Sequence, residues 1–413
     1  MTSKTDHTRE ASVPPGLRTD AEHPEFAEDD LQAKRRPVVA RRSFLNADGL
    51  AGADTVAHSE NVDRPDAPPA PRRRRLLELR GHRWTPAQRA ILISLVAIAM
   101  GTVFVTTYSL TLGDPIPRHI NAAIVGAGDA HPGPVDATER VAGGKLDFHP
   151  YSSLPAALRA IESQNVYTAL DVASQRPTLY LASAAGASVA RVLERIATVD
   201  PGVRVRDTHP LFGHDPNGLN IFYLMLVTTI VGFLTIFQVR ANAGELRRRH
   251  QIAFVVGLAL TTSLVLTLVD GPLLNRLNLP VPETWGILAL NLLAAASFTS
   301  LMAVLIGRWA ILPTFLFVVV LGNASSGGAV SPPLLPPACA FFSRWLPSGS
   351  TVTALRDAIY FTHHQHAQPI AVLATWALLL FAAWLWVSRR REARITHTEK
   401  EPLPRTVAAF QNA

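Results

Sequence analysis

Residues 90–112, AILISLVAIAMGTVFVTTYSLTL, decide the fold class. They run for 23 residues without a charged side chain. At about 1.5 Å per residue, a helix of this length crosses a hydrocarbon core of roughly 30 Å. The stretch therefore predicts a transmembrane helix, and it argues against an ordinary soluble enzyme.

Five more apolar runs follow, at residues 219–239, 252–269, 285–306, 309–322 and 369–387. Together with the first run they predict a polytopic α-helical membrane protein with six transmembrane helices. The run at 285–306 contains Asn, Ser and Thr side chains, which are typical of a helix packed inside a bundle. The run at 309–322 is short and contains a proline, so it spans only if neighbouring residues extend it or if it leads into a buried re-entrant segment.

Basic residues predict the orientation of these helices. The 413-residue chain has 39 Lys and Arg against 32 Asp and Glu. The Arg residues cluster before the first run, between the second and third runs, and after the last one. Because short loops retained in the cytoplasm are rich in Lys and Arg, both termini are predicted to be cytoplasmic. No nucleic-acid-binding motif accompanies the basic balance, so we expect no nucleic-acid partner.

The two terminal segments are polar. Residues 1–89 are Pro-rich and charge-mixed, which predicts a disordered cytoplasmic tail with a basic juxtamembrane segment. Two interpretations of that basic segment are open: an interfacial helix on anionic lipid headgroups, or a plain stop signal for membrane insertion. Residues 388–413 are predicted to be a basic cytoplasmic tail.

Residues 113–218 are too long for a connector and predict an extracytoplasmic α/β domain. No chemistry is assigned to its scattered histidines or to Glu162, which has no evident partner in the sequence. A single cysteine excludes an internal disulfide and a Cys-based metal cluster, and we expect no cofactor. The expected strands lie at 120–125, 166–172, 178–181 and 203–205, and the expected helices at 154–163 and 187–197.

The segment between the fifth and sixth runs contains small residues and prolines, LGNASSGGAVSPPLLPP over 321–337, followed by two short helical stretches. The first, at 338–346, contains aromatic residues suited to the membrane interface, and Ser350 is expected to cap the second. This pattern predicts re-entrant helices. His363, His364 and His366 follow, and a polar external loop is favoured over a metal site because their imidazoles do not converge on one helix face.

The order of these residues resembles the C-terminal signature of ABC-2-type membrane proteins, specifically the YhgE/Pip-like (phage infection protein-like) actinobacterial branch. The resemblance covers the membrane part and the insertion after the first helix. It implies a bacterial plasma-membrane permease that works as a homo- or heterodimer with a separate ABC ATPase, since this chain has no phosphate-binding loop. The matching positions are Gly322, Asn323, Ser325, Ser326, Gly327, Gly328, Leu334, Leu335, Pro336, Trp345, Leu346, Pro347, Leu355, Arg356 and Tyr360.

In exporters of this fold, the loop between the second and third helices contacts the ATPase. Residues 243–250 occupy that place, and Glu245, Arg247, Arg248 and Arg249 are the candidate coupling residues. The alternative is that these arginines only anchor the topology. The resemblance implies a non-enzymatic membrane subunit of an exporter of lipid-like or amphipathic cargo. The alternative function is a non-transporting envelope or secretion-system scaffold, or a surface receptor, that binds a partner through the external domain.

Overall fold

A computed structural model describes residues 85–113, 115–126, 132–275 and 277–400 of the chain, with side chains up to residue 393. The predictions for residues 1–84 and 401–413 lie outside the described residues. The α-helices are α1 (Pro86–Leu112), α2 (Pro132–Val141), α3 (Leu154–Glu162), α4 (Ala187–Glu194), α5 (Ile196–Val199), α6 (Asn220–Asn242), α7 (Arg248–Leu268), α8 (Val281–Ile306), α9 (Ile311–Thr314), α10 (Pro337–Trp345), α11 (Pro347–Tyr360) and α12 (Ala367–Lys400). The strands are β1 (Ile120–Val125), β2 (Leu146–Tyr151), β3 (Thr168–Asp171), β4 (Thr178–Leu181) and β5 (Arg204–Asp207).

Five helices in the described part of the chain are long and apolar enough to cross a membrane. They are Pro86–Leu112, Asn220–Asn242, Arg248–Leu273, Val281–Asn323 and Ala367–Ala393. These helices indicate an integral membrane protein. Six spans were predicted and five helical stretches are found, because the fourth and fifth predicted spans lie in one stretch of 43 residues.

That long stretch nevertheless reverses direction. α8 ends at Ile306 and is followed by Gly307, whose φ of +62° is accessible to a residue without a Cβ. Phe298 and Phe317 then stack with their ring centroids 4.7 Å apart, whereas a straight helix would separate them by about 28 Å. Residues 307–323 therefore run back along α8 as a return arm of about 25 Å, slightly shorter than a hydrocarbon core.

The ends of the first and last membrane helices differ from the predicted ones. α1 begins at Pro86, because the Thr85 hydroxyl accepts the backbone N–H of Gln88 while the Gln88 side chain accepts the Thr85 N–H. α12 continues through the arginines after residue 387 and ends at Lys400. Within the described residues, the predicted C-terminal tail is therefore a helical extension of the last span.

Polar side chains hold the interior of the bundle together, as predicted for the run at 285–306. Asn291 of α8 is 2% exposed, and its amide donates to the hydroxyls of Thr228 and Thr229 in α6 at 2.8 and 3.0 Å. Ser297, Thr299 and Ser300 of α8 are also buried. Hydrogen bonds and small side chains let the helices approach closely where lipid gives no hydrophobic driving force between them.

A five-stranded sheet lies between α1 and α6 in the chain, in the order β2-β1-β3-β4-β5. β3 and β4 pair antiparallel, and the other neighbours pair parallel. The sheet confirms the prediction of a small α/β region. The helix α2 and the edge strand β2 were not predicted, because the first contains a Pro-Gly pair and the second contains Pro150, which is tolerated only at a sheet edge.

Basic residues gather at one end of the bundle. Arg248, at the start of α7, forms an ion pair with Glu392 of α12 at 2.9 Å. The guanidinium of Arg391 donates to the carbonyl of Val304, near the end of α8. The α6–α7 loop, the end of α8 and the end of α12 therefore lie together, as their Arg content predicts. At the opposite end, Thr111 of α1 contacts Cys339 of α10 at 3.9 Å.

Candidate functional site

The motif residues 322–328 form a loop between the return arm and α10, which we call the motif loop. Residues 322–327 are buried, and Gly328 is half-buried. A Cβ at Gly328 would lie 2.9 Å from Phe222 of α6, so the loop approaches that helix more closely than a larger residue permits. Small residues in this motif therefore serve tight packing inside the protein.

Asn323 is an unusual member of the motif loop. Its side chain is 2% exposed, and neither its amide nitrogen nor its amide oxygen meets the geometry of a hydrogen bond to a described residue. The hydroxyl of Tyr108 in α1 lies close to the amide. A buried amide without full hydrogen bonds costs free energy. Asn323 therefore has unsatisfied hydrogen-bonding groups inside the bundle.

Arg356 of α11 reaches back to the motif loop, where its guanidinium donates to the carbonyl of Gly327 at 3.3 Å. Burial lowers the pKa of Arg356, and the nearby Tyr167, Asp357 and Tyr360 partly oppose this effect. Its side chain lies where the motif loop, α11 and the α/β region between α1 and α6 meet.

The α/β region between α1 and α6, which we call the sheet domain, forms hydrogen bonds with the segment that follows the motif loop. The Ser188 hydroxyl of α4 donates to the Ser331 hydroxyl at 2.7 Å and accepts the Ser331 N–H at 2.8 Å. Arg118, just before β1, donates from its backbone to Pro333 at 2.8 Å and from its guanidinium to Leu335 at 3.0 Å. Arg118 and Ser188 were not singled out from the sequence, because their partners lie more than 140 residues away.

Histidines and carboxylates meet at a second junction, between α3, β5 and the loop after α11. Glu162 pairs with His209 at 3.0 Å and with His364 at 3.6 Å. His366 pairs with Asp357 at 3.1 Å. Glu162 therefore has two partners, although the sequence showed none. Among residues 85–113, 115–126, 132–275 and 277–400, no group of three His, Cys, Asp or Glu side chains is placed to hold a metal ion.

The two short helices before α12 differ from the predicted pair in their details. α10 exposes Phe341 and Trp345, at 62% and 47%, as expected of residues at an interface. Leu346, which directly follows α10, is 5% exposed and belongs to the interior. The prediction that Ser350 caps the second helix is wrong, because α11 already begins at Pro347 and includes Ser350. Pro336 precedes α10 directly.

The candidate coupling loop is shorter than predicted. α6 ends at Asn242 and α7 begins at Arg248, so Arg248 and Arg249 lie in the first turn of a helix. Glu245, Arg247 and Arg249 are exposed, whereas Arg248 is tied to Glu392. The exposed charges are therefore Glu245, Arg247 and Arg249.

Comparison with known proteins finds no match for this chain among family models, curated proteins or solved structures. The family resemblance therefore rests on the motif residues and on the order of the elements.

Tyr360, at the end of α11, makes the stability of the folded protein depend on pH at alkaline values. Burial raises the pKa of its phenol to about 12. In the unfolded chain the phenol ionises near its usual pKa of about 10, so the folded state loses relative stability as the pH rises from about 10 to about 12. Tyr360→Phe removes this contribution.

We expect the unfolding midpoint of Tyr360→Phe to fall less between pH 9 and 11 than that of the wild type, with similar values at pH 7. Tyr223→Phe is the control, because that ring is 49% exposed on α6. Equal alkaline losses in the wild type and in Tyr360→Phe would contradict the assignment of this pH dependence to Tyr360.

Proposed function

We propose that this chain is the membrane subunit of an exporter, in the bacterial plasma membrane, with an ABC-2-like fold and a separate ATPase. The observation that carries the proposal is the order of its parts: one apolar helix, an α/β insertion, three more apolar helices with a return arm, a buried motif loop, two short helices and a last apolar helix. This is the order that the family resemblance implies. Its cargo is lipid-like or amphipathic, and its termini are cytoplasmic.

The α6–α7 loop supports the assignment of a coupling role. Glu245, Arg247 and Arg249 are exposed at the basic end of the bundle, and no described residue forms an ion pair with them. Because these charges have no ion-pair partner among the described residues, they are available to groups of opposite charge on the surface of a partner protein. Dimer formation and the identity of the ATPase belong to the same proposal.

The alternative, a non-transporting envelope scaffold or receptor, draws on another observation. The sheet domain is fixed to the segment after the motif loop through Ser188 and Arg118, and one apolar core joins its strands to Leu334 and Leu335. A domain mounted rigidly on a membrane anchor suits the presentation of a binding surface.

Co-purification from native membranes tests the exporter. We expect an ATP-hydrolysing protein to co-purify with the wild-type chain, and its amount to fall about tenfold when Glu245, Arg247 and Arg249 are all replaced with Ala, because each lost charge weakens a complementary contact. Arg389→Ala is the control, since Arg389 is exposed on α12 and lies outside the loop.

Reconstitution completes the test. If the chain is an exporter subunit, we expect vesicles that contain both this chain and the co-purified ATPase to move a fluorescent lipid across their membrane only when ATP is present. A chain that brings down no ATPase and moves no lipid, but retains an extracytoplasmic binding partner, is the scaffold of the alternative.

A further inference from the structure

A cavity of about 100 Å³ opens at the basic end of the bundle, where α6, α7, α8 and α12 meet. This volume exceeds that of a site for a single water. Apolar side chains from α6, α7 and α12 form much of its wall, and a few polar groups lie among them. The lining residues include Ile236, Arg240, Gln251, Phe254, Ser300 and Trp384.

Arg240 provides the charge of this cavity. It lies in the last turn of α6, and no described residue forms a hydrogen bond or an ion pair with its guanidinium. Arg391 of α12 acts on it with a charge of the same sign. The carboxylate of Glu392 is already paired with Arg248. The cavity therefore has a positive charge without a counter-ion among the described residues.

Ser300 of α8 provides a second, independent observation. The residue is 4% exposed, it lines the cavity, and its hydroxyl forms no hydrogen bond with a described residue. Because Ser300 lines the cavity, an oxygen acceptor bound there can accept the hydrogen bond that its hydroxyl does not make to the protein. Gln251 is held in place by a hydrogen bond from its amide to the Leu246 carbonyl at 2.9 Å.

We propose that this cavity binds a phosphate group, which the Arg240 guanidinium and the Ser300 hydroxyl contact directly. A phosphate oxygen accepts hydrogen bonds from both groups, and its negative charge offsets the repulsion between Arg240 and Arg391. Two sources supply this chemistry: the headgroup of an anionic phospholipid, or free inorganic phosphate. The apolar wall of Ile236, Phe254 and Trp384 fits the glycerol and the first acyl carbons of a lipid.

The site does not depend on the exporter proposal. It requires only that α6, α7, α8 and α12 pack as they do. Phosphate binding here would stand even if the chain moved no cargo, and failure of the lipid experiment would leave the ATPase co-purification unaffected.

Thermal unfolding of the purified full chain in a neutral detergent tests the site. The probes are dioleoylphosphatidylglycerol, dioleoylphosphatidylcholine and sodium phosphate at constant ionic strength. We expect phosphatidylglycerol to raise the unfolding midpoint in a saturable manner, and its apparent affinity to fall about tenfold in Arg240→Gln, because a charge-assisted hydrogen bond is lost. Ser300→Ala is expected to weaken binding about threefold.

Arg389→Gln is the matched control, because Arg389 is an exposed arginine at the same end of the bundle and does not line the cavity. Its affinity for phosphatidylglycerol is expected to equal that of the wild type. If Arg240→Gln yields no folded protein, the smaller Ser300→Ala change still tests the site.

Each outcome decides the proposal. Stabilisation by phosphatidylglycerol alone identifies a lipid headgroup, and stabilisation by phosphate as well identifies a site for the free ion. Equal stabilisation by phosphatidylcholine, an unchanged affinity in both cavity variants, or an equal loss in Arg389→Gln would overturn it, since these results describe unspecific binding to a basic or apolar surface.

Discussion

Replacement of Phe361 with Ala is expected to lower the free energy of unfolding by about 3–5 kcal/mol, the usual cost of deleting a fully buried aromatic side chain. Phe361 follows α11 directly, yet its side chain is 0% exposed and belongs to the apolar core of the sheet domain. Its ring stacks on His209 with centroids 4.8 Å apart. The residue thus joins the membrane part to the sheet domain.

The measurement is the unfolding midpoint of the purified protein in detergent, followed by intrinsic fluorescence. Phe341→Ala is the control, because the same side chain is 62% exposed on α10. We expect a large fall in the midpoint for Phe361→Ala and a small one for Phe341→Ala. Equal shifts in the two variants would show that Phe361 does not anchor the sheet domain.

Replacement of Gly349 with Ala is expected to destabilise the protein by about 1–3 kcal/mol through overpacking. Gly349 lies in the first turn of α11, and a Cβ there would overlap the backbone carbonyl of Ser343 in α10. Because the backbone fixes the position of the Cβ and the carbonyl belongs to the backbone of Ser343, no side-chain rotation relieves the overlap. The two helices must separate, which disturbs the packing of the buried face of α11 on the bundle.

Gly257→Ala in α7 is the control for this change. Among the described residues, no atom outside the neighbouring turns of α7 lies within 4 Å of the position of its Cβ, and Ala stabilises a helix interior by about 1 kcal/mol relative to Gly. The two Gly→Ala changes are therefore expected to shift the unfolding midpoint in opposite directions. A Gly349→Ala protein as stable as the wild type would contradict the close contact between α10 and α11.

Local patterns in the sequence predicted those helices and strands whose own residues carry the pattern, without any contribution from distant parts of the chain. The apolar runs identified the membrane helices, because a helix in lipid must satisfy its own backbone and present apolar side chains over its whole length. Alternation and helical spacing likewise located β1, β3, β4 and α3 to within a few residues. The polar residues of α8 predicted a helix inside the bundle, and Asn291 lies there.

Other features depend on residues that are distant in the chain. The run at 309–322 left two interpretations open, a span extended by its neighbours or a lead into a re-entrant segment, and the turn at Gly307 folds it back along α8 as a return arm. Glu162 gained its partners only when β5 and the loop after α11 came beside α3. The edge strand β2 was missed because its signal is weak within the strand, and its pairing with β1 supplies the missing hydrogen bonds.

The sequence by itself determined that this protein is built from membrane helices with an α/β insertion. Those properties follow from composition and periodicity, which act within short stretches of chain. Only the tertiary structure decided that Arg356 reaches the motif loop and that Phe361 enters the sheet domain. It likewise placed Arg240 and Ser300 at one cavity. These contacts join residues from different elements, so their positions depend on how helices and sheet pack together.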